Sequence, residues 1–375
     1  MKEIKMVDLK CQYEKIKIEV DDAIHRVLDS TAFIKGPEIK SFENDLSSYL
    51  GAKRVVTCAN GTDALQIAMM ALGLQPGDEV ITTPFTFVAT AEVVKLLGLK
   101  PVFADIEPGS FNIDIPDVET RITHRTKAIV PVHLFGQCAD MENLLSLAKK
   151  YDLHIIEDAA QSIGSNYIFS DGSSKKSGTI GDIGCTSFFP SKNLGTFGDG
   201  GALFTNNPAL ADKMQAIVNH GMVNRYYYDY VGMNSRLDTL HAAILNVKLK
   251  YLDKYNHSRQ HAAEFYDSAL GKLKYIIIPE RVKYSEHIFH QYTIRIRNGK
   301  RDALKTHMEK SSIPVMIYYP LPLHLQKAYS DLGYKKGDFP EAEKACQEVL
   351  SLPMHTELDE DQLHFIAERI IEFAN

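Results

Sequence analysis

A lysine and an aspartate in this chain have a spacing that suits chemistry on a cofactor aldehyde. Asp158 ends an apolar run at residues 153–158, and Lys192 follows 34 residues later, just before a glycine-rich turn. A lysine amine forms a Schiff base with an aldehyde, and a carboxylate that faces a pyridine nitrogen keeps it protonated, so that the ring accepts electrons. The pair therefore indicates pyridoxal 5′-phosphate (PLP), with Lys192 as the catalytic residue.

Both residues also have less specific explanations. Asp158 would serve equally well as a helix cap or a magnesium ligand, and most lysines beside a glycine turn are simply solvated. Ligands in open α/β sheets bind at the carboxyl ends of strands, and Asp158 stands at such an end. Gln161, shortly after it, is placed to donate to the phenolic oxygen of the same ring. The spacing between Lys192 and Asp158 is what favours the cofactor.

A phosphate site is predicted where a strand gives way to a helix. Gly61 and Thr62 lie at that junction, and N–H groups at a helix N-terminus bind anions. Ser187, in the strand before Lys192, is placed to reach the same phosphate. Taken alone, the segment fits an ordinary N-cap by Asn60 or Thr62 better. It contains neither a Walker phosphate loop nor the dinucleotide-binding fingerprint.

Composition narrows the class of protein. The chain has 375 residues, 45% of them hydrophobic, and a net charge of −6 without any basic tract. Nucleic acids and anionic membrane surfaces are therefore not expected as partners, and no signal peptide or membrane-spanning run is visible. The five cysteines are scattered, with no C-x-x-C pair. This pattern indicates reduced thiols in a cytoplasmic protein and no structural zinc or other metal.

Alternating strands and helices must position these residues. The predicted strands are 54–58, 79–83, 101–104, 127–133 and 153–158, and the predicted helices are 63–72, 89–97 and 141–151. Helices between strands imply crossovers and a mostly parallel sheet covered on both faces. Only the glycine-rich turn separates 185–189 from 202–205. These two strands are expected to pair directly, which makes the sheet mixed.

The pattern changes after residue 236. Apolar residues recur at helical spacing from residue 237 to 251, and neither glycine nor proline occurs between Gly232 and Gly271, so a long helix is expected there. A smaller α/β domain follows, with predicted strands at 275–278, 290–296 and 314–318 and helices near 340–350 and 360–373. We predict a large domain at 1–240, beginning with a helical segment, and a small domain at 241–375.

Two aromatic segments stand out, of which the first is a candidate for binding a sugar or a base. Residues 225–238 contain four tyrosines, Asn234 and Arg236, which suit stacking on a ring and pairing with anions. Subunit interfaces have the same enrichment. Tyr318 and Tyr319 precede a proline-rich loop, which alone fits a packed surface turn.

The order of these motifs resembles the DegT/DnrJ/EryC1/StrS sugar aminotransferase family over nearly the whole chain. The matching segments are 8–10, 34–38, 60–65, 131–136, 157–161, 187–201, 234–238 and 319–320. The resemblance implies the α/β, aspartate-aminotransferase-like fold type I of PLP-dependent transferases. In that fold a large domain with a mostly parallel, mixed sheet between helices precedes a smaller C-terminal α/β domain.

The resemblance also implies a role for each site residue. Lys192 would be the Schiff-base lysine and the acid/base that moves the proton between cofactor and substrate carbons. Cofactor contacts are implied for Asp158 at the pyridine nitrogen, Gln161 at the phenolic oxygen, Phe87 stacked on the ring, and Gly61, Thr62 and Ser187 at the phosphate. Asn234 would reach the phosphate of the other subunit's cofactor, which implies a homodimer. Dehydratases of the family carry histidine where Lys192 stands, so lysine favours transamination.

Within the family, the chain most resembles bacterial UDP-2-acetamido-2-deoxy-3-oxo-glucuronate aminotransferases of O-antigen synthesis. That group would transfer an amino group from L-glutamate to the 3-keto carbon of the nucleotide sugar. Arg236, Tyr318 and Tyr319 are the candidates for holding the sugar, although that group has histidine at the position of Tyr318. The alternatives are a dTDP- or GDP-linked 3-keto- or 4-keto-6-deoxyhexose as substrate, or a non-catalytic regulator on the same fold.

Overall fold

The computed structural model describes residues 3–374, which form fourteen strands, twelve α-helices and three short 3₁₀ helices, at Leu134–Gly136, Leu323–Leu325 and Lys327–Leu332. The strands are β1 Arg54–Cys58, β2 Glu79–Thr82, β3 Lys100–Phe103, β4 Thr126–Ile129, β5 His154–Asp158, β6 Asn166–Ile168, β7 Ser174–Lys176, β8 Ile183–Ser187, β9 Gly201–Thr205, β10 Met222–Asn224, β11 Tyr227–Tyr228, β12 Ile276–Ile277, β13 Tyr292–Ile296 and β14 Val349–Leu352. The helices are α1 Leu9–Ser30, α2 Pro37–Leu50, α3 Gly61–Leu72, α4 Ala89–Leu96, α5 Ile115–Arg121, α6 Met141–Tyr151, α7 Pro208–Ile217, α8 Thr239–Leu249, α9 Leu252–Leu270, α10 Arg301–Lys310, α11 Pro340–Glu348 and α12 Glu360–Ala374. Between residues 3 and 374, no helix is long and apolar enough to cross a membrane.

A seven-stranded sheet in the order β1-β9-β8-β5-β4-β2-β3 forms the centre of the large domain. Only β9 runs against its neighbours, β1 and β8, while the other pairs are parallel. The predicted mixed but mostly parallel sheet is therefore confirmed. Because β1, β2, β5 and β8 share one direction, the residues at their carboxyl ends meet along one edge of the sheet. That edge carries every predicted cofactor residue except Asn234.

Helix α3 shows how the sequence positions this edge. Asn60 caps it, since its side chain accepts from the N–H of Asp63 at 2.8 Å. Gly73 ends it in the left-handed region, with φ at 77°. Six of its twelve residues are buried, and they pack against β1, β5, β8 and β9 in one apolar core. The N-terminus of α3 is thereby fixed beside the ends of β1 and β8.

The predicted long helix after residue 236 is two helices in the structure, α8 and α9, separated at Lys250 and Tyr251. Ala243, Ile244 and Val247 of α8 pack against α1. The far end of α9 instead joins the core of the C-terminal sheet. The break lets the two helices serve different cores, although no glycine or proline marks it. A domain boundary after residue 240 stays a prediction, because α8 packs on elements that precede it.

The C-terminal sheet is antiparallel, in the order β12-β13-β14. The predicted strand at 314–318 is wrong, since Met316 makes only a single bridge, to Ser351. The predicted helix at 340–350 ends earlier, at Glu348, and the third strand is β14. All four residues of β14 are buried. A short apolar run of this kind has no periodicity that separates a strand from a buried helix end.

Candidate active site

Asp158 lies at the end of β5 as a buried carboxylate, 6% exposed, with two donors. The hydroxyl of Thr90 donates to its Oδ2 at 2.7 Å, and the N–H of Ala160 donates to its Oδ1 at 3.2 Å. Among residues 3–374, no lysine, arginine or histidine lies within ion-pair distance of it. A carboxylate has about four acceptor positions. Asp158 therefore keeps acceptor capacity for a ligand N–H, which a pyridinium ring provides.

Lys192 lies in the turn after β8 and is partly buried. Burial lowers the pKa of its amino group to about 8, and the negative charge of Asp158 opposes that shift. The two residues are therefore close enough to interact electrostatically despite their separation in sequence. A lysine with this pKa has a substantial neutral fraction near pH 8, and the neutral amine is the form that attacks an aldehyde.

Asn193 anchors the turn that carries Lys192. Its side-chain Nδ2 donates to Asn256 Oδ1 at 2.7 Å and to the carbonyl of Ile288 at 3.3 Å. Both amide hydrogens are thereby used, so its Oδ1 accepts from Nδ1 of His290 at 3.2 Å. Burial and the charge of Lys192 hold the pKa of His290 well below its usual range, so this imidazole is neutral. The sequence gives no signal for Asn193, because its partners are distant in the chain.

The residues predicted to bind phosphate lie where α3 meets β8. Gly61 begins α3, and a Cβ added to it would lie 2.7 Å from Cβ of Ser187. The first N–H groups of a helix have no partner within it, and Asn60 satisfies only that of Asp63. The capping explanation and the anion site are therefore compatible. The close approach of Gly61 to Ser187 leaves room for an anion only while residue 61 lacks a side chain.

Gln161 is buried, and its amide orientation is set by the backbone. Its Oε1 accepts from the N–H of Phe135 at 2.8 Å, so Nε2 is its donor end. That nitrogen donates to the hydroxyl of Tyr319 at 3.3 Å and keeps a second hydrogen for a ligand. Burial raises the pKa of Tyr319, which remains a neutral phenol. The structure thus places Tyr319 beside Gln161, while Tyr318 is partly exposed and packs its ring 6.0 Å from that of Tyr319.

Phe87 is an exposed aromatic side chain at this edge of the sheet. It lies between β2 and α4 and is 56% exposed, whereas its neighbour Phe85 is fully buried. A large ring with an open face is suited to stacking on a planar ligand. Thr90, three residues later, contacts Asp158. The segment that leads into α4 therefore holds two candidate site residues, of which the sequence indicated only Phe87.

Asn234 and Arg236 contact each other and not Asp158 or Lys192. Asn234 is exposed, and its Oδ1 accepts from Nη2 of Arg236 at 2.6 Å. Between them, the hydroxyl of Ser235 donates to Asp63 at 2.6 Å and accepts from the N–H of Ala59 at 3.2 Å. The segment is thus bound to the N-terminus of α3, next to the phosphate site.

These residues fit PLP on structural grounds. The site offers an anion seat that a Cβ would fill, a carboxylate with spare acceptor positions, an amine with a lowered pKa and an exposed ring. Within residues 3–374, no group of three or more histidine, cysteine, aspartate or glutamate side chains has a metal-binding arrangement. The donors are those that an anionic, planar, carbonyl-bearing cofactor requires.

Comparison with known proteins also indicates a PLP-dependent aminotransferase. The model of the DegT/DnrJ/EryC1/StrS aminotransferase family matches residues 14–371. A pleiotropic regulatory protein of Geobacillus stearothermophilus is 48% identical, over 99% of this chain and 98% of that protein. The UDP-2-acetamido-2-deoxy-3-oxo-D-glucuronate aminotransferase of Pseudomonas aeruginosa is 46% identical, over 97% of this chain and 98% of that one. The UDP-N-acetyl-3-dehydro-alpha-D-glucosamine 3-aminotransferase of Acidithiobacillus ferrooxidans is 42% identical, over 97% and 96%.

The fold is shared with solved relatives. DesV of S. venezuelae, solved in complex with a ketimine intermediate, matches with a TM-score of 0.96 and 38% identity, over 100% of this chain and 99% of that one. The predicted fold type I architecture, the PLP cofactor and the aminotransferase activity are confirmed by this agreement in family and fold. The chain belongs to the DegT/DnrJ/EryC1/StrS aminotransferase family.

Proposed function

We propose that this aminotransferase acts on a UDP-linked 3-keto sugar acid. It would transfer the amino group of L-glutamate to UDP-2-acetamido-2-deoxy-3-oxo-D-glucuronate and release UDP-2-acetamido-3-amino-2,3-dideoxy-D-glucuronate and 2-oxoglutarate. The observation that carries the reaction type is Lys192 beside Asp158 at the carboxyl edge of the sheet. The P. aeruginosa relative, which is named for this substrate and matches almost the whole chain, supports the choice of sugar.

Each site residue has a task in this proposal. When bound, PLP supplies an aldehyde that exchanges amino groups and a ring that accepts electrons. Lys192 would hold the aldehyde, and its free amine would carry the proton between cofactor and substrate carbons, for which a pKa of about 8 suits neutral pH. Asp158 would accept the N–H of the pyridine, and Gln161 would donate to the phenolic oxygen.

The remaining cofactor residues bind and orient. Gly61, Thr62 and Ser187 hold the phosphate at the N-terminus of α3, where the helix dipole favours an anion. Phe87 covers one face of the ring with its exposed side chain. Together these contacts would fix the ring between α3, α4 and the end of β5, so that Lys192 approaches the aldehyde from the turn after β8.

An arginine without an acidic partner supports the proposal that the substrate sugar carries a carboxylate. Arg236 donates to the side-chain oxygens of Asn219 and Asn234, and no aspartate or glutamate among residues 3–374 lies within ion-pair distance of it. Guanidinium groups pair readily with carboxylates. We therefore assign Arg236 to the uronate carboxylate and Tyr318 and Tyr319 to the sugar ring.

A neutral or deoxygenated sugar is the alternative substrate. The A. ferrooxidans relative is named for a UDP sugar without a C6 carboxylate. Tyr318 also replaces the histidine expected in the uronate-specific group. A dTDP- or GDP-linked 3-keto- or 4-keto-6-deoxyhexose is the second alternative, because Arg236 alone does not distinguish these sugars.

The deciding experiment compares keto sugars directly. The UDP-3-keto uronate is generated in situ by a partner dehydrogenase in the presence of the enzyme and L-glutamate. The corresponding UDP-3-keto glucosamine and a dTDP-3-keto-6-deoxyhexose are run alongside. A 3-amino uronate as the preferred product supports the proposal. Turnover of only the neutral or dTDP-linked sugar would keep the aminotransferase and overturn the substrate.

A homodimer with shared active sites forms part of the proposal. The hairpin β10–β11 and the residues after it expose a patch of large side chains, namely Val223, Tyr226, Tyr227, Tyr228, Tyr230 and Val231. Such patches on a folded chain mark interaction sites. Asn234, just beyond the patch, would reach the phosphate bound by the second subunit.

Mixing two inactive variants tests this arrangement. If Asn234 acts across the interface, Lys192→Ala and Asn234→Ala subunits form hybrid dimers with one intact site. Random exchange would then restore about a quarter of wild-type activity. No recovery, with exchange demonstrated by mass spectrometry, would overturn the shared site.

We also propose that the enzyme is cytoplasmic and that its product is used to build a surface polysaccharide such as O-antigen. The five cysteines, all unpaired in the structure, are compatible with a reducing compartment. A regulator on the same fold is the remote alternative, and the G. stearothermophilus relative is named for regulation. Lys192→Ala separates the two, because an enzyme loses turnover while a non-catalytic regulator keeps its effect.

A further inference from the structure

The hydroxyl of Thr90 donates its proton to Asp158, a residue of a different element. It is the second residue of α4 and is 1% exposed. Its Oγ1 donates to Oδ2 of Asp158 at 2.7 Å across 68 residues of sequence. Because Thr90 stands in the first turn of α4, the residues three and four positions before it lie outside the helix. Its hydroxyl instead links the start of α4 to the end of β5.

Asp158 accepts few hydrogen bonds from the part of the protein that the structure describes. Each of its oxygens receives one donor, from Thr90 on one side and from the N–H of Ala160 on the other. The Ala160 bond is longer, at 3.2 Å, and comes from a residue only two positions away. Thr90 is therefore the one side chain, within residues 3–374, that fixes the rotation of this carboxylate.

We propose that Thr90 is a positioning residue that turns the carboxylate of Asp158 toward the pyridine nitrogen of PLP. The proposal rests on the role assigned to Asp158 above. Residues 87–90 then serve the cofactor twice, through the exposed ring of Phe87 before α4 and through the hydroxyl of Thr90 in its first turn. Because the hydroxyl occupies one lone pair of Oδ2, the carboxylate presents its remaining lone pairs in a fixed direction.

The test compares variants that differ only in the hydroxyl. Thr90→Val keeps the shape and removes the donor, and Thr90→Ser keeps the donor and removes the methyl group. Thr82→Val is the matched control, since Thr82 is equally buried and donates at 2.9 Å to the carbonyl of Val130. The readouts are the dissociation constant of PLP, followed by its visible absorbance, and the rate at which L-glutamate bleaches that absorbance.

Thr90→Val is expected to weaken PLP affinity and slow bleaching by about 10- to 100-fold, the worth of one hydrogen bond to a charged group. Thr90→Ser should return both values to within about threefold of wild type, and Thr82→Val should leave both unchanged. Wild-type behaviour of Thr90→Val would overturn the inference. A serine variant as defective as the valine variant would also overturn it, because the methyl group would then matter.

Asp158→Asn separates this inference from the proposed function. If Asp158→Asn binds and reacts like wild type, the role of Asp158 is wrong and Thr90 falls with it. If Asp158→Asn is defective and Thr90→Val is not, only the Thr90 inference fails. In the double variant, Thr90→Val should add no further loss, because the two residues act as one unit.

Discussion

Lys192 is expected to capture PLP at a far lower pH than an ordinary lysine. Burial lowers the pKa of its amine from 10.5 to about 8, and only the neutral amine attacks an aldehyde. At pH 7 about one Lys192 in ten is then neutral, against roughly one in three thousand for an ordinary lysine. The environment of Lys192 thus increases the reactive fraction about 300-fold.

The assay is the rate of PLP capture by the apoprotein between pH 6 and pH 10.5, followed by stopped-flow absorbance. Since neutral amine accumulates as the proton leaves, the rate should rise with pH and level off above about 8. The charge of Asp158 raises the pKa of Lys192, so Asp158→Asn should move the midpoint to lower pH. Lys192→Ala is the control for adducts with surface lysines.

Two results would refute this reasoning. A midpoint near 10 would show that the site does not favour the neutral amine of Lys192. An unchanged rate in Lys192→Ala would show that another amine captures the cofactor. A midpoint that stays in place in Asp158→Asn would leave the lysine assigned but remove its electrostatic link to Asp158.

Three further variants test stability and fit. Each carboxylate oxygen of Glu157 accepts two hydrogen bonds from the protein. In Glu157→Gln the new amide nitrogen would face two of these donors, so the free energy of unfolding, measured by urea denaturation followed by circular dichroism, should fall by about 3–6 kcal/mol. A loss below about 1 kcal/mol would contradict this role of Glu157. Lys248→Met should stabilise the protein by up to about 3 kcal/mol at pH 7, since Lys248 is 2% exposed and burial lowers its pKa to about 8. The unfolded state binds the extra proton between pH 8 and 10.5, so wild-type stability should rise through that window and the advantage of Lys248→Met should vanish above it. Gly61→Ala should weaken PLP affinity about 10-fold or more in an absorbance titration, because the added methyl group would clash with Ser187. Unchanged affinity would show that the phosphate does not bind beside Gly61.

The layout of the large domain follows from local pattern. Strands β1 and β5 and helix α6 lie within a residue of their predicted bounds, because β-branched runs and helical stretches alternate clearly there. Topology then brings the ends of parallel strands to one edge, so the residues at those ends are predicted to meet without any knowledge of contacts. Asp158, Ser187 and Phe87 were found in this way or through the family resemblance.

Contacts between distant residues were beyond such reasoning. Thr90 and Asn193 look ordinary in sequence, and only folding shows that one binds Asp158 and the other binds Asn256. The third strand of the small sheet was missed for a related reason. Residues 349–352 are apolar throughout, and their strand exists because β13 lies beside them. Tertiary pairing, not local preference, decides such short segments.

The two neighbouring acids of β5 show why side-chain type alone does not assign a role. Successive residues of a strand point to opposite faces, so Glu157 and Asp158 face different surroundings. Glu157 is fully buried and accepts from three backbone N–H groups, of Gly178, Ile180 and Gly181, and from His133. Its acceptor positions are filled by the protein, which makes it a structural tie between β5 and the loop before β8. Asp158 receives two donors and keeps the remainder for a ligand. The number of protein donors on each carboxylate therefore separates the acid that holds the fold from the acid that we propose holds the cofactor.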